Sequence, residues 1–241
     1  MSEEKNVQVL WLYDDLLDLY GDSGNLTLIK KRLTQLGYQM FLTRASLADS
    51  PKVSEYDMVY IGPGKAKNLR RACEHILTLK DEIVKAIDEE KVILVTGNAR
   101  LLLGKGYTDE DGSFVKGLEL FPYTGEETGK VFISDVVANP QFETNESLLY
   151  GFINRTGRIK DNVGPYLFKI VKGAGDEKKG DAFEGNLYKN LFSTWLLGPV
   201  LVKNPQMARE FLGRLIGREQ IAYDDTLETM ALKMTLKEFS L

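Results

Sequence analysis

The sequence of 241 residues predicts an α/β protein built on a doubly wound, mostly parallel sheet, with additional strands in its second half. Two observations predict this fold class. Strand-like runs alternate with helical patterns over the first hundred residues, and the strands are apolar throughout rather than at every second residue. Strands of that composition are buried on both faces, as in a parallel sheet covered by helices on each side.

Four strand-like runs in the first hundred residues define the expected sheet. They cover residues 7–13, 38–43, 57–61 and 92–96. The fourth run is apolar until its last residue, after which Gly97 turns the chain into a short helix. Short apolar runs rich in Val and Ile, bounded by turn residues, are typical of buried strands.

Helical spacing of apolar residues accounts for the segments between these strands. After the first strand, four residues recur at that spacing: Leu26, Ile29, Leu33 and Leu36. Between the third and the fourth strand we expect one long helix with a single apolar stripe. The stripe comprises Leu69, Ala72, Cys73, Ile76, Leu77, Ile83, Val84 and Ile87.

The second half of the chain has a different pattern. Strand-like runs at residues 131–138, 148–154, 166–172 and 190–197 are separated by turns rich in Gly and Asp. Residues 172–185 contain little that could be buried, and we expect them to form a mobile surface loop.

Two helices are expected to end the sequence. Asn204 followed by Pro205 is a typical helix start. The helix that begins there is expected to bury Met207, Ala208, Phe211, Leu212, Leu215 and Ile216. The last helix, at about residues 226–238, places on one side Leu227, Met230, Ala231 and Met234. Because no linker, repeat or low-complexity segment interrupts the chain, residues 1–241 are expected to form a single domain.

Composition excludes several classes of protein. Lys and Arg number 31 and Asp and Glu 35, and the formal charge of −4 argues against general binding to nucleic acid. No apolar run approaches the roughly 20 residues that cross a bilayer, so no membrane insertion is expected. Residues 1–6 are acidic and do not resemble a signal peptide. A single cysteine fits a reducing compartment, and we expect a cytoplasmic protein.

The single cysteine and the single histidine restrict the possible chemistry. Cys73 and His75 are two positions apart on the expected helix, so their side chains point about 200° apart. Cys73 is expected to be a small core residue and His75 a solvated surface residue. This placement excludes a Cys–His nucleophile and a Ser–His triad, and leaves too few ligands for a His or Cys metal site. We expect no metal and no cofactor.

Polar residues and glycines follow the strands at the edge where parallel sheets bind ligands. They form three short segments: Tyr13-Asp14-Asp15, Gly62-Pro63-Gly64 and Thr96-Gly97-Asn98. Glycines allow backbone N–H groups to approach an anion or an oxyanion closely. The alternative is that these glycines only make tight turns. Neither G-x-G-x-x-G nor G-x-x-x-x-G-K-[ST] is present.

Several segments, in order along nearly the whole chain, resemble one known family. They are LYDDLLDLYGDSGN (12–25), YIGPG (60–64), LLG (102–104), GFIN (151–154), TWLLGP (194–199) and KNP (203–205). The sequence resembles the glutamine amidotransferase subunit of lipid II isoglutaminyl synthase, among the CobB/CobQ-like class I glutamine amidotransferases. The resemblance implies a flavodoxin-like fold and a cytoplasmic glutaminase. It also implies that ammonia passes to a Mur-ligase-like partner, which amidates the D-glutamate of the peptidoglycan stem.

The resemblance also implies where the family's catalytic residues would fall. Alignment on residues 102–104 places the nucleophilic cysteine, which follows the fourth strand, at Gly97. The histidine that acts as general base falls on Leu197, and a further histidine falls on Arg155. A basic residue of the family falls on Val131, with Lys130 beside it. Glycine supplies no nucleophile, and leucine cannot accept a proton.

The sequence therefore predicts a catalytically inactive relative that binds or regulates a Mur-ligase-like, amide-forming partner in peptidoglycan biosynthesis. One alternative is an active glutaminase with a displaced mechanism, in which Thr96 or a partner residue is the nucleophile, although no base for Thr96 is in prospect. Another is a sensor that binds glutamine or another small amino acid in the cleft vacated at Gly97. The positions expected to bind a ligand are Tyr13, Asp14, Gly62, Gly64, Asn98 and Arg155.

Overall fold

A computed structural model of the chain describes residues 5–142 and 148–240, and its elements are numbered in chain order. Its first sheet has six strands. Across the sheet these are β2 (Tyr38–Ala45), β1 (Lys5–Leu12), β3 (Met58–Ile61), β4 (Val92–Thr96), β12 (Leu191–Thr194) and β11 (Asn186–Tyr188). All run parallel except β11, which is antiparallel to β12. The order reverses between β1 and β3, as in flavodoxin-like sheets. The predicted doubly wound sheet is confirmed.

The helices of the first half cover this sheet, but the expected long helix is divided. α1 (Gly24–Gln35) lies where it was predicted, whereas a 3₁₀ turn separates α2 (Ala66–Ile76) from α3 (Lys80–Asp88). Within that turn the Thr78 hydroxyl donates to the His75 carbonyl at 2.7 Å. On α3, Ile83 and Ile87 are buried as predicted, whereas Val84 is 36% exposed, so the prediction that Val84 belongs to the buried stripe is wrong.

A second sheet is inserted between β4 and β11. Its strands are β5 (Gly106–Thr108), β6 (Phe114–Lys116), β7 (Thr124–Pro140), β8 (Leu149–Lys160), β9 (Phe168–Lys172) and β10 (Phe183–Glu184). They follow the order β10-β9-β7-β5-β6, and β8 pairs with β7. Only the β5–β7 pair is parallel among the pairings of this sheet. Three of the four strand-like runs predicted for the second half lie in this separate sheet, whereas the run at 190–197 corresponds to β12 of the first sheet.

The segment at residues 172–185 contradicts the predicted surface loop. Although residues 178–180 are exposed, residues 174–176 and 184–185 are buried, and Phe183–Glu184 forms strand β10. The prediction was wrong because it treated the charged residues as solvated. Two of them, Asp176 and Glu184, instead meet a buried arginine of another element.

The C-terminal helices are α4 (Val200–Lys203), α5 (Pro205–Leu215) and α6 (Thr226–Glu238). The bounds of α6 and the start of α5 agree with the prediction. The predicted core residues of α5 are buried up to Leu212, whereas Leu215 and Ile216 are only half-buried. On α6 the predicted apolar side is exposed, with Leu227 at 79%. Among the described residues, no helix is long and apolar enough to cross a membrane.

Candidate functional site

The turn after β4 at Gly97, which we call the elbow, is the centre of the candidate site. Gly97 has φ +59°, in the left-handed region that favours glycine, and begins a 3₁₀ helix (Gly97–Leu102). A Cβ atom built on Gly97 would lie 2.7 Å from Cβ of Pro63. Because a proline ring is stiff and Pro63 is buried, the space beside Gly97 has no room for a side chain.

Leu197 lies on the other side of this turn. Its Cδ2 atom is 3.1 Å from where the Gly97 Cβ would be, and its N–H donates to the Phe152 carbonyl at 2.8 Å. The structure thus brings together the two positions at which the resemblance places the nucleophile and its base. Neither residue has a side-chain atom that could donate or accept a proton.

The glycine turn after β3 packs tightly against the residues that follow β1. A Cβ on Gly64 would lie 2.2 Å from Leu17 Cδ2, which explains why a glycine is needed there. The Gly64 N–H donates to Asn98 Oδ1 at 2.9 Å, and Asn98 Nδ2 donates to the Gly64 carbonyl at 2.7 Å. This N–H, predicted to serve an oxyanion, is therefore occupied by a partner within the protein.

Residues 8–205 match the CobB/CobQ-like glutamine amidotransferase domain family. The chain belongs to that family. It is 31% identical over 208 residues to the GatD subunit of lipid II isoglutaminyl synthase (glutamine-hydrolyzing) from Streptococcus pneumoniae, covering 84% of this chain and 77% of that protein. It is 28% identical over 211 residues to the corresponding Staphylococcus aureus subunit, covering 87% and 84%.

Solved structures agree with the amidotransferase fold. PurLQS from Thermotoga maritima aligns with a TM-score of 0.54 at 15% identity, over 95% of this chain and 99% of that chain. The glutaminase domain of Trypanosoma brucei CTPS aligns with a TM-score of 0.53 at 6% identity, over 89% and 96%. At these identities the likeness concerns the fold alone. It supports the predicted class I glutamine amidotransferase-like architecture.

Thr96, the last residue of β4, takes part in a buried hydrogen-bond cluster that this amidotransferase-like chain builds around Asp22. Thr96 Oγ1 donates to Asp22 Oδ2 at 2.5 Å, and the Tyr60 hydroxyl donates to the same oxygen at 2.8 Å. Burial raises the pKa of Asp22 to about 6, although the two hydrogen bonds oppose the rise. The expectation that Thr96 has no nearby base is therefore wrong, because Asp22 is a possible proton acceptor.

This cluster is closed to substrate. Thr96, Asp22 and Tyr60 are each 0% exposed. Asn25 extends it, since its Nδ2 donates to the Asp22 carbonyl at 2.9 Å and its Oδ1 accepts from the Leu201 N–H at 2.9 Å. The cluster joins the loop after β1 to β3, β4 and α4. Sequence reasoning missed Asp22 and Asn25, although both lie in the motif at 12–25 that carried the resemblance.

Tyr13 and Asp14, predicted to bind a ligand, make their contacts away from Gly97. The Tyr13 hydroxyl and His75 Nδ1 are 2.9 Å apart, and burial raises the pKa of Tyr13. His75 is therefore half-buried and hydrogen-bonded, which corrects its placement as a solvated residue. Asp14 Oδ2 lies 3.2 Å from Arg44 Nε.

Cys73 is buried as predicted, and burial raises the pKa of its thiol to about 12.

Arg155, also predicted to bind a ligand, is buried and directed at main-chain atoms. Its two Nη atoms donate to the carbonyls of Asp176 at 2.7 Å and Gly175 at 3.0 Å. Its guanidinium lies 4.7 Å from the centre of the Trp195 ring. Burial lowers its pKa to about 10, so it remains a cation at neutral pH. Val131, at the nearby position expected to be basic in the family, is 68% exposed.

A second buried polar cluster, missed by sequence reasoning, surrounds Arg100 of the elbow's 3₁₀ helix. Arg100 pairs with Asp176 and, at 3.0 Å, with Glu184 Oε1. Glu184 also accepts from the Trp195 N–H at 2.6 Å and the Thr194 hydroxyl at 2.8 Å. Burial raises the pKa of Glu184 to about 7 while the Arg100 charge opposes the rise. One available sign was Arg100 itself, a lone charge among apolar residues 99–103.

Replacing Gly97 with alanine tests how tightly the elbow is filled. We expect Gly97→Ala to lower the free energy of unfolding by at least about 2 kcal/mol, since left-handed backbone and the contact with Pro63 both oppose a Cβ. Gly217→Ala is the matched control, because Gly217 has φ +63° and nothing within 4 Å. It should cost about 1 kcal/mol. Urea unfolding measures both, and equal losses would contradict a filled elbow.

Asp22 should make stability depend on pH. Because its pKa rises from 3.8 unfolded to about 6 folded, the folded state binds more protons between these values. The protonated Asp22 carboxyl stabilises the folded state fully below pH 3.8. This stabilisation is lost as the pH rises through about 6, and the free energy of unfolding falls by on the order of 3 kcal/mol. Asp22→Asn should abolish this slope in urea unfolding between pH 4 and 7. Parallel pH curves for the two proteins would contradict the assignment.

Arg100→Met tests the second cluster. Removing the guanidinium leaves Asp176 and Glu184 buried without their cation, so we expect a loss of roughly 3–5 kcal/mol in the free energy of unfolding. The control is Arg70→Met, since Arg70 is 38% exposed and forms a surface pair with Asp109 at 3.1 Å. That pair should contribute less than about 1 kcal/mol. Similar losses in the two variants would show that the Arg100 cluster does not anchor the fold.

Proposed function

We propose that this chain is a pseudoenzyme, a catalytically inactive amidotransferase-like subunit that binds and regulates an amide-forming, Mur-ligase-like synthetase. The observation that carries the proposal is the proximity of Gly97 and Leu197, which lie at the expected positions of the nucleophile and its base. A Cβ built on Gly97 would lie 3.1 Å from Leu197 Cδ2. Hydrolysis of glutamine by this family's route needs an activated nucleophile beside a proton acceptor. Loss of both partners of such a pair costs many powers of ten in rate.

The comparisons support a role in amidation of peptidoglycan precursors. Two relatives, in Streptococcus pneumoniae and Staphylococcus aureus, are named as subunits of lipid II isoglutaminyl synthase. The match to both extends over more than four fifths of this chain. We therefore assign the partner to the class of cytoplasmic ligases that form an amide on the peptidoglycan stem, and this chain to the same compartment.

A glutaminase that uses Thr96 is the first alternative. Asp22 gives Thr96 a possible base at 2.5 Å, which favours the chemistry. Against it, both side chains are 0% exposed, so glutamine has no access to the hydroxyl unless the loop that carries Asp22 opens. The burial of the pair favours a structural role for this hydrogen bond.

A sensor that binds an amino acid at Gly97 is the second alternative. The vacated volume is taken by Pro63 and Leu197, so the elbow itself leaves little room for a ligand. Among the cavities of the described part of the chain are two of about 730 and 320 Å³. Neither is lined by Gly97, Leu197 or the glycine turn at 62–64.

The first test is co-purification of the tagged chain from its native cells, followed by a glutaminase assay of the complex obtained. We expect a stoichiometric Mur-ligase-like subunit to be recovered and glutamine to release no ammonia above the blank. The Streptococcus pneumoniae relative, named as glutamine-hydrolyzing, is the positive control for the assay.

Two outcomes would overturn the proposal. Ammonia release that is lost in Thr96→Ala would show an active glutaminase with a displaced nucleophile. Recovery of the chain without a synthetase, together with a rise in melting temperature on adding glutamine, would favour the sensor, since a ligand that binds only the folded state stabilises it.

A further inference from the structure

The larger cavity lies where the second sheet begins, beside strand β6. Its volume of about 730 Å³ is within the range of small-molecule sites, roughly 300–1,000 Å³. It lies outside the elbow, since neither Gly97 nor Leu197 contributes to it. We call it the lysine cavity and define it by Lys105, Phe114, Lys116, Glu119, Leu120 and Phe121.

Two aromatic rings give the lysine cavity an apolar surface. Phe121 is 95% buried and stacks on Tyr123 with ring centres 5.7 Å apart, so this part of the lining is held in place. The Phe114 ring lies over Gly106, with Cζ 2.8 Å from where a Cβ would be, yet 59% of Phe114 is exposed. A large, exposed ring beside a concave surface is a typical contact for an apolar ligand body.

The charges of the cavity favour an anion. Within residues 5–142 and 148–240, Lys105 makes no ion pair. Lys116 Nζ lies 4.0 Å from Glu119, whose other oxygen is closer to Lys80, at 3.3 Å. One carboxylate is thus shared by two lysines, and Lys105 remains uncompensated. This local excess of positive charge contrasts with the net charge of −4 of the whole chain.

We propose that the lysine cavity binds a small amphipathic anion, with its flat apolar body against Phe114 and Phe121 and its acidic group between Lys105 and Lys116. The acidic group can be a carboxylate, a phosphate or a sulfonate, because a lysine ammonium binds each of them as a point charge. This inference is independent of the proposed pseudoenzyme function, since it uses none of the residues at the elbow.

Main-chain hydrogen bonds connect the lining of the cavity to the elbow. The Leu118 N–H donates to the Leu102 carbonyl, the last residue of the elbow's 3₁₀ helix, at 2.8 Å. The Glu119 N–H donates to the Gly104 carbonyl, also at 2.8 Å. A ligand in the lysine cavity therefore contacts a segment that is hydrogen-bonded to the end of the elbow helix, and its binding should stabilise the folded chain.

The probe is 1-anilinonaphthalene-8-sulfonate, which joins a flat aromatic body to one negative charge. We expect saturable binding to the intact chain, measured by its fluorescence. The double variant Lys105→Glu, Lys116→Glu should weaken binding at least tenfold, and Phe114→Ser should weaken it as well. The uncharged analogue N-phenyl-1-naphthylamine should bind at least tenfold more weakly than the sulfonate.

The matched control is an exposed apolar surface with a lysine on α6. Met230 and Met234 are 55% and 66% exposed there, near Lys233. The double variant Met230→Ser, Lys233→Glu should leave the probe's affinity unchanged. Urea unfolding of each variant confirms that it folds. Loss of binding in the α6 variant, or affinity that is unaffected by the lysine substitutions, would overturn the proposal.

Discussion

The region around Gly97 depends on the hydrogen bonds that the buried carboxyl group of Asp22 accepts. In a parallel sheet the strands end at one edge, where their last residues must find hydrogen-bond partners. Asp22 accepts from Thr96 at the end of β4 and from Tyr60 in β3. Asn25, in the first turn of α1, donates to the Asp22 carbonyl and accepts from the Leu201 N–H of α4. The Asp22 side chain therefore links the loop after β1 to β3 and β4, and burial raises its pKa to about 6.

The elbow lies between two buried polar clusters and is itself apolar. On one side is the Asp22 cluster, and on the other Arg100 joins the elbow's 3₁₀ helix to Asp176 and Glu184 of the inserted sheet. Between them Gly97 is covered by a proline and a leucine. The turn after β4 is thus held by buried hydrogen bonds on both sides, whereas its centre is filled by apolar side chains.

How far the sequence could predict the site depends on the kind of contact. The proximity of Gly97 and Leu197 agrees with the resemblance, whose motifs at 102–104 and 194–199 align the nucleophile and its base with these two positions. The partners of Arg155 and Tyr13 were not predictable, since main-chain carbonyls and a histidine 62 positions away in the chain leave no pattern in the sequence. Asp176 and Glu184 look like solvated charges until their cation is placed beside them.

By itself the sequence determined the parallel sheet, the start of α5 and the bounds of α6, because hydrophobic periodicity and capping residues act over a few neighbouring positions. It also determined that only one cysteine and one histidine are available. Tertiary structure decided the burial of Asp176 and Glu184 and the occupation of the elbow by Pro63. These features depend on contacts between residues far apart in the chain, and local patterns carry no information about them.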